Sequence, residues 1–176
     1  MNTIQMKNIQ VYHILSLSFL KIPDEQLIAD VQDVIDISSD ADVFNLKMDY
    51  TQLFIGPHKL LAPPWESVYN SPLKLVCQEP LLEVRKFYRD AGLVLNTQNY
   101  LDDHIGIELE FMSYLWKYNL SEAKNTFVQE HLAQWVPDFC NDVIKNAKTA
   151  FYRDIALFTK NIISIESESK NLAGVN

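Results

Sequence analysis

The densest run of ionisable residues in this chain is Asp102-Asp103-His104, followed shortly by Glu108. His104 and Glu108 stand four apart, so a helix sets them on one face. Three chemistries fit these residue types. A helix start uses carboxylates to satisfy its free N–H groups and its positive end, leaving His104 and Glu108 as a surface pair. A metal ion would take His104, Glu108 and an aspartate such as Asp103, as in a metal-dependent hydrolase. That set lacks the second histidine of an HExxH motif and any distant ligand at recognisable spacing. The third is a recognition edge, where a carboxylate and an imidazole bind a cationic or amide-rich peptide. Residue types alone leave the first and third open.

A second region, Leu53 to Tyr69, places Phe54, Trp65 and Tyr69 beside Gly56, Pro57, Pro63 and Pro64. Helical periodicity cannot bury these aromatics. They either plug a core from outside or form an apolar site that the prolines hold stiff, which lowers the ordering cost of binding. Glu66 and Ser67 have no local base or oxyanion site to make them catalytic. Neither GxGxxG nor GxxxxGK[ST] occurs, so Gly56 does not announce a phosphate loop. His13 sits in an apolar stretch and reads as a core or helix-end histidine. His131 and Trp135 are four apart and are expected to pack together. Cys77 and Cys140 read as buried small apolar residues.

The elements that position these groups read as helices. Glycine is scarce, with four in the chain, and apolar residues recur at three- and four-residue steps. Ile9 to Leu20 is expected as a buried helix, broken at Lys21 to Asp24. Leu27, Ile28, Val31, Val34 and Ile35 mark a second helix, and Ser38 to Asp40 a polar break. Asp42 is placed to cap a third, which Gly56-Pro57 stops. His58 to Pro72 reads as a loop. Pro80 suits the first turn of a helix ending near Gly92. After a polar linker from Asn96 to Tyr100, Asp102-Asp103 starts a helix through Trp116. Ser121 is placed to cap the next, and Pro137 to open a last long helix. The expected fold is all-α, a single-domain helical bundle over residues 1–163 with a polar tail over 164–176.

Composition narrows the function. A net charge of −8 without any basic block excludes a general nucleic-acid binder and suits a basic peptide partner. No apolar run reaches the roughly 18 residues needed to span a bilayer, so no integral membrane span is expected. Two cysteines give no disulfide framework, which fits a cytoplasmic protein.

Three ordered segments carry a family resemblance. They are Leu53-Phe54-Ile55-Gly56-Pro57 with Ala62-Pro63-Pro64-Trp65-Glu66-Ser67-Val68-Tyr69, then Asp102-Asp103-His104-Ile105-Gly106-Ile107-Glu108-Leu109-Glu110-Phe111, and then His131-Leu132 with Trp135-Val136-Pro137 and Phe139. In order and separation they resemble the TorD/DmsD family of redox-enzyme maturation chaperones. The resemblance implies a non-enzymatic, cofactor-free cytoplasmic chaperone. Its partners would be the twin-arginine signal peptide and the apo form of a molybdenum-cofactor oxidoreductase's catalytic subunit. It would place Tyr50, Leu53, Phe54, Pro64, Trp65, Asp103, His104 and Glu108 around the peptide. Two positions depart from the family pattern: Leu101 stands where a proline is frequent, and Glu66 where some relatives carry glycine. An assembly protein that docks a folded partner, and a homodimer formed by exchange of helices, remain open alternatives.

Overall fold

The computed structural model describes residues 2–37, 42–57, 59–95 and 99–168. The break at Ser38 to Asp40, His58, Asn96 to Gln98 of the linker and the last part of the tail lie outside these residues. The fold is all-α, and among the described residues the one β feature is a bridge between Trp65 and His104.

Helix α1 (Thr3–Leu20) is buried along Val11, Tyr12, Ile14, Leu15 and Phe19, as its apolar run predicts, and packs along α6 (Ile105–Lys117). Their close approach explains Gly106, because a Cβ there would sit inside the Leu20 side chain. His13 is no core residue: it faces outward from α1 and meets Glu110 of α6 at 2.8 Å. Asp24 and Asp42 cap α2 (Glu25–Val34) and α3 (Val43–Tyr50) by accepting from Leu27 N and Phe44 N. Helix α3 runs into a π-helical turn, Thr51–Ile55, which Gly56 ends at φ +94°.

The stretch read as a loop contains a short helix, α4 (Glu66–Asn70). Helix α5 (Glu79–Asp90) has Pro80 in its first turn, where a missing N–H costs no internal hydrogen bond. Ser121 lies inside α7 (Ser121–Phe127) rather than capping it; Leu120 holds the cap position. A second π-helical turn, Val128–Leu132, leads into α8 (Ala133–Asn146). Pro137 lies within α8 instead of opening it. The N–H it lacks would have met the carbonyl of Ala133, the first residue of α8, so the lost bond falls at the helix start beside the π turn.

The last long helix expected from Pro137 onward is two helices, α8 and α9 (Ala150–Glu168), packed on each other. Buried Asp49 separates them by accepting from Lys148 N and Thr149 N. Helix α9 continues past Ser164 to Glu168. Cys140 is buried as expected, whereas Cys77 is exposed at φ +60°.

Candidate functional site: a junction of three motifs

The two motifs richest in chemistry meet through the backbone. Ile105 N donates to the Pro64 carbonyl at 2.9 Å, and Glu66 N to the Asp103 carbonyl at 3.0 Å. Trp65 and His104 form the bridge between these segments, with their rings edge-to-face at 6.0 Å. The Asp103 carboxylate fastens the start of α4 by accepting from Ser67 N at 3.1 Å and Ser67 Oγ at 2.5 Å. Asp102 faces the other way, pairing with Arg85 at 2.5 Å while its carbonyl accepts from the Tyr88 hydroxyl.

Helix α6 is capped by His104, not by the aspartates: its Nδ1 accepts from Gly106 N at 3.1 Å. An accepting Nδ1 carries no proton, so the neutral ring holds its hydrogen on Nε2. Burial alone drives this imidazole down to about 3, which keeps it uncharged. The expected surface pair of His104 and Glu108 is absent, since both are buried. Among the described residues, His104 also does not join Asp103 and Glu108 in a metal-ligand set.

Glu108 instead enters a buried acidic centre assembled from three segments. Glu66 comes from α4, Glu108 from α6 and His131 from the π-helical turn before α8. His131 Nε2 lies 3.0 Å from Glu66 Oε2 and 3.3 Å from Glu108 Oε2. Asn70 Nδ2 donates to Glu66 Oε1 at 2.8 Å, and Trp135 Nε1 donates to Glu108 Oε2 at 3.1 Å. His131 and Trp135 therefore meet through Glu108; His131's stacking partner is Phe127, at 4.9 Å. Burial, then the neighbouring Glu108, pushes Glu66 up to about 8. Burial, then Asp103, pushes Glu108 well above the carboxylate range, and burial lowers His131. Among the described residues, these three side chains are the group whose carboxylate and imidazole ligand atoms converge, all within 4.8 Å of one another.

Of the other residues expected around a peptide, Tyr50, Leu53, Phe54 and Pro64 are buried. Phe54 packs against Phe19, Tyr50, Phe139 and Tyr152, and the Tyr50 hydroxyl donates to the Phe19 carbonyl. Trp65 is the partly exposed member of the set. The surface around the first motif holds apolar groups that the motif reading missed: Phe44, Met48, Ile55 and Leu61 are all exposed. Met48, Thr51, Gln52, Gly56, Pro57, Lys59 and Leu61 line a cavity of about 370 Å³. Phe44, Met48 and Ile55 recur at near-helical steps, a signal present in the sequence.

The three motif segments, Leu53–Tyr69, Asp102–Phe111 and His131–Phe139, thus form one junction, and residues 20–141 match the family model described as nitrate reductase delta subunit. The chain belongs to that family. Its TorD/DmsD membership agrees with the relatives it resembles. It is 34% identical over 116 residues to a Haemophilus influenzae protein bearing the provisional name Tat proofreading chaperone DmsD, covering 65% of this chain and 57% of that one. It is 31% identical over 131 residues to the chaperone protein YcdY of Escherichia coli, covering 73% of this chain and 66% of that one. The fold matches a crystal structure of a provisionally named redox enzyme maturation protein from Archaeoglobus fulgidus. That match has a TM-score of 0.67 and 21% identity, and covers 93% of this chain and 96% of that one. The family relatives are named for chaperone activity rather than catalysis. No described helix is long and apolar enough to cross a membrane.

Proposed function

We propose that this protein is a cytoplasmic chaperone for redox-enzyme maturation. It binds the twin-arginine signal peptide of a molybdenum-cofactor oxidoreductase before export and also holds the apo catalytic subunit. The observation that carries this reading is the open apolar cavity of about 370 Å³ beside the Leu53–Pro57 motif, rimmed by Met48, Pro57 and Leu61. A signal peptide's apolar segment needs such a surface, and its arginines suit a chain of net charge −8.

The expected peptide residues then divide by burial. Trp65 offers direct contact, together with Met48 and Leu61. Tyr50, Leu53, Phe54, Pro64, Asp103, His104 and Glu108 act from beneath, holding the loop and the start of α6 in shape. Preorganising a binding surface in this way lowers the ordering cost of capture.

The test is binding of a synthetic twin-arginine leader by the purified chain, followed by fluorescence anisotropy. Trp65→Ala and Met48→Asp should each weaken binding about tenfold, near 1.4 kcal/mol, with helicity unchanged. A wild-type chain that ignores every leader, or two variants that bind a retained leader normally, would sink this assignment.

A further inference from the structure

Glu66 and His131 have no role in the peptide reading, and Glu108 enters it only as a support beneath the surface. Glu66 and His131 are each 2% exposed and Glu108 is 0% exposed. Among the described residues, the ion-pair partner of both glutamates is His131. Two carboxylates facing one imidazole in a dry interior are costly unless a proton or a cation joins them.

The directions of the contacts favour a cation. The His131 Nε2 distances to Glu66 and Glu108, 3.0 and 3.3 Å, fall within hydrogen-bonding range. Yet neither oxygen lies where an N–H on Nε2 would donate: His131 Nε2 and Glu66 Oε2 are both left without a hydrogen-bond partner among the described residues. Glu108 Oε1 is likewise unpartnered. Ligand atoms about 2.0–2.1 Å from a common ion sit about 2.9 Å apart at right angles and about 3.4 Å apart at the tetrahedral angle. The two observed spacings fall within that interval.

We infer that Glu66, Glu108 and His131 form a binding site for a first-row divalent metal ion, which ties α4 and α6 to the π-helical turn before α8. A carboxylate–carboxylate–imidazole set suits zinc among such ions. The supporting shell is present: Asn70 orients Glu66, and Trp135 orients Glu108. An approach is present too. Glu66 lies at the wall of a polar cavity of about 550 Å³ whose other lining includes the exposed carboxylates Glu79, Glu83 and Glu130. The site's burial assigns the ion a structural task, cross-linking segments that are distant in sequence.

The experiment uses the whole untagged chain, stripped with chelator and titrated with zinc alone by calorimetry. One equivalent should bind and raise Tm. Glu108→Gln and His131→Gln should each lose at least about tenfold in affinity, in line with loss of a metal-site group. His13→Ala, which removes the exposed imidazole beside Glu110, should bind as wild type does. Cobalt loaded in place of zinc should give visible d–d absorption in the wild-type chain and lose it in Glu108→Gln. Should His131→Gln fail to fold, the isosteric Glu108→Gln decides alone. Absence of a saturable equivalent in the wild-type chain overturns the site and leaves the centre to protons. Equal zinc binding by Glu108→Gln overturns it as well.

Discussion

Asp49 and Glu66 are carboxylates of equal burial, each 2% exposed, in opposite circumstances. Asp49 accepts from Lys148 N, Thr149 N and Thr149 Oγ1, the last at 2.6 Å, at the corner between α8 and α9. Backbone donors that the helix start leaves free surround it, so its charge is answered where it stands. Glu66 has one amide donor, from Asn70, and otherwise faces Glu108 and a neutral imidazole. The same side-chain chemistry is a fastener in one place and an unbalanced group in the other. Burial therefore says little about a carboxylate's task until its donors are counted.

The largest expected effect falls on the satisfied group. Asp49→Ala strips the partners from two backbone N–H groups and a hydroxyl at a tight corner. We expect a loss of about 3–5 kcal/mol in urea unfolding, as part-buried donors lose hydrogen bonds to a carboxylate worth roughly 1.5–3 kcal/mol each. A loss below about 1 kcal/mol would show that the corner is held by packing, and the contrast with Glu66 would fail at its firmer end.

The next effect tests the unbalanced end through pH, with chelator present. Glu66 is raised from 4.5 to about 8, so between those values the folded state holds a proton that the unfolded chain releases. Its stabilising contribution is complete below about pH 4.5 and is lost as pH rises toward 8. His131 is lowered from 6.5, so below that pH the unfolded chain binds the extra proton and stability falls with acid. The two slopes oppose each other below about 6.5. Above it the Glu66 loss is unopposed by His131, and Glu108, raised as well, adds to it in the same sense. Stability should thus decline from about pH 6.5 to 8, with Glu66 contributing at most about 1.4 kcal/mol per pH unit. Glu66→Gln should make the decline shallower. An unchanged slope in that variant would mean Glu66 is ionised throughout.

Much of the architecture was legible in residue pattern. The break at Lys21 to Asp24, the cap at Asp42, the stop at Gly56 and the buried run of α1 follow from local chemistry, which a single sequence displays. The split between α8 and α9 was not, because its cause is Asp49, about a hundred residues away. The acidic centre was hidden for the same reason. In the sequence Glu66 shows only its chain neighbours and His131 only Trp135, whereas the partners that matter lie across the fold. The motifs are visible as sets of residue types, but their burial is not: Leu53, Asp103 and Glu108 are all 0% exposed. Periodicity could not show which face of an irregular, proline-rich stretch turns inward.

The smallest effect is the most discriminating. In the metal-free protein Glu108 Oε2 accepts from Trp135 Nε1 at 3.1 Å, while burial and then Asp103 favour a proton on the carboxyl. A protonated carboxyl is neutral and offers one donor and one acceptor face, and a glutamine amide of the same shape offers both. With chelator present, Glu108→Gln should therefore shift the unfolding free energy at neutral pH by less than about 1 kcal/mol, the scale of one exchanged hydrogen bond. The alternative charge arrangement, an ionised Glu108 beside a protonated His131, predicts otherwise. Neutralising one partner would strand the other's charge in the interior, at a cost of roughly 3–5 kcal/mol. A large loss in this single variant would replace the neutral centre with a buried ion pair. Glu108 would then resemble Asp49 in having its carboxylate answered, and the difference between the two regions would shrink to the kind of donor that does it.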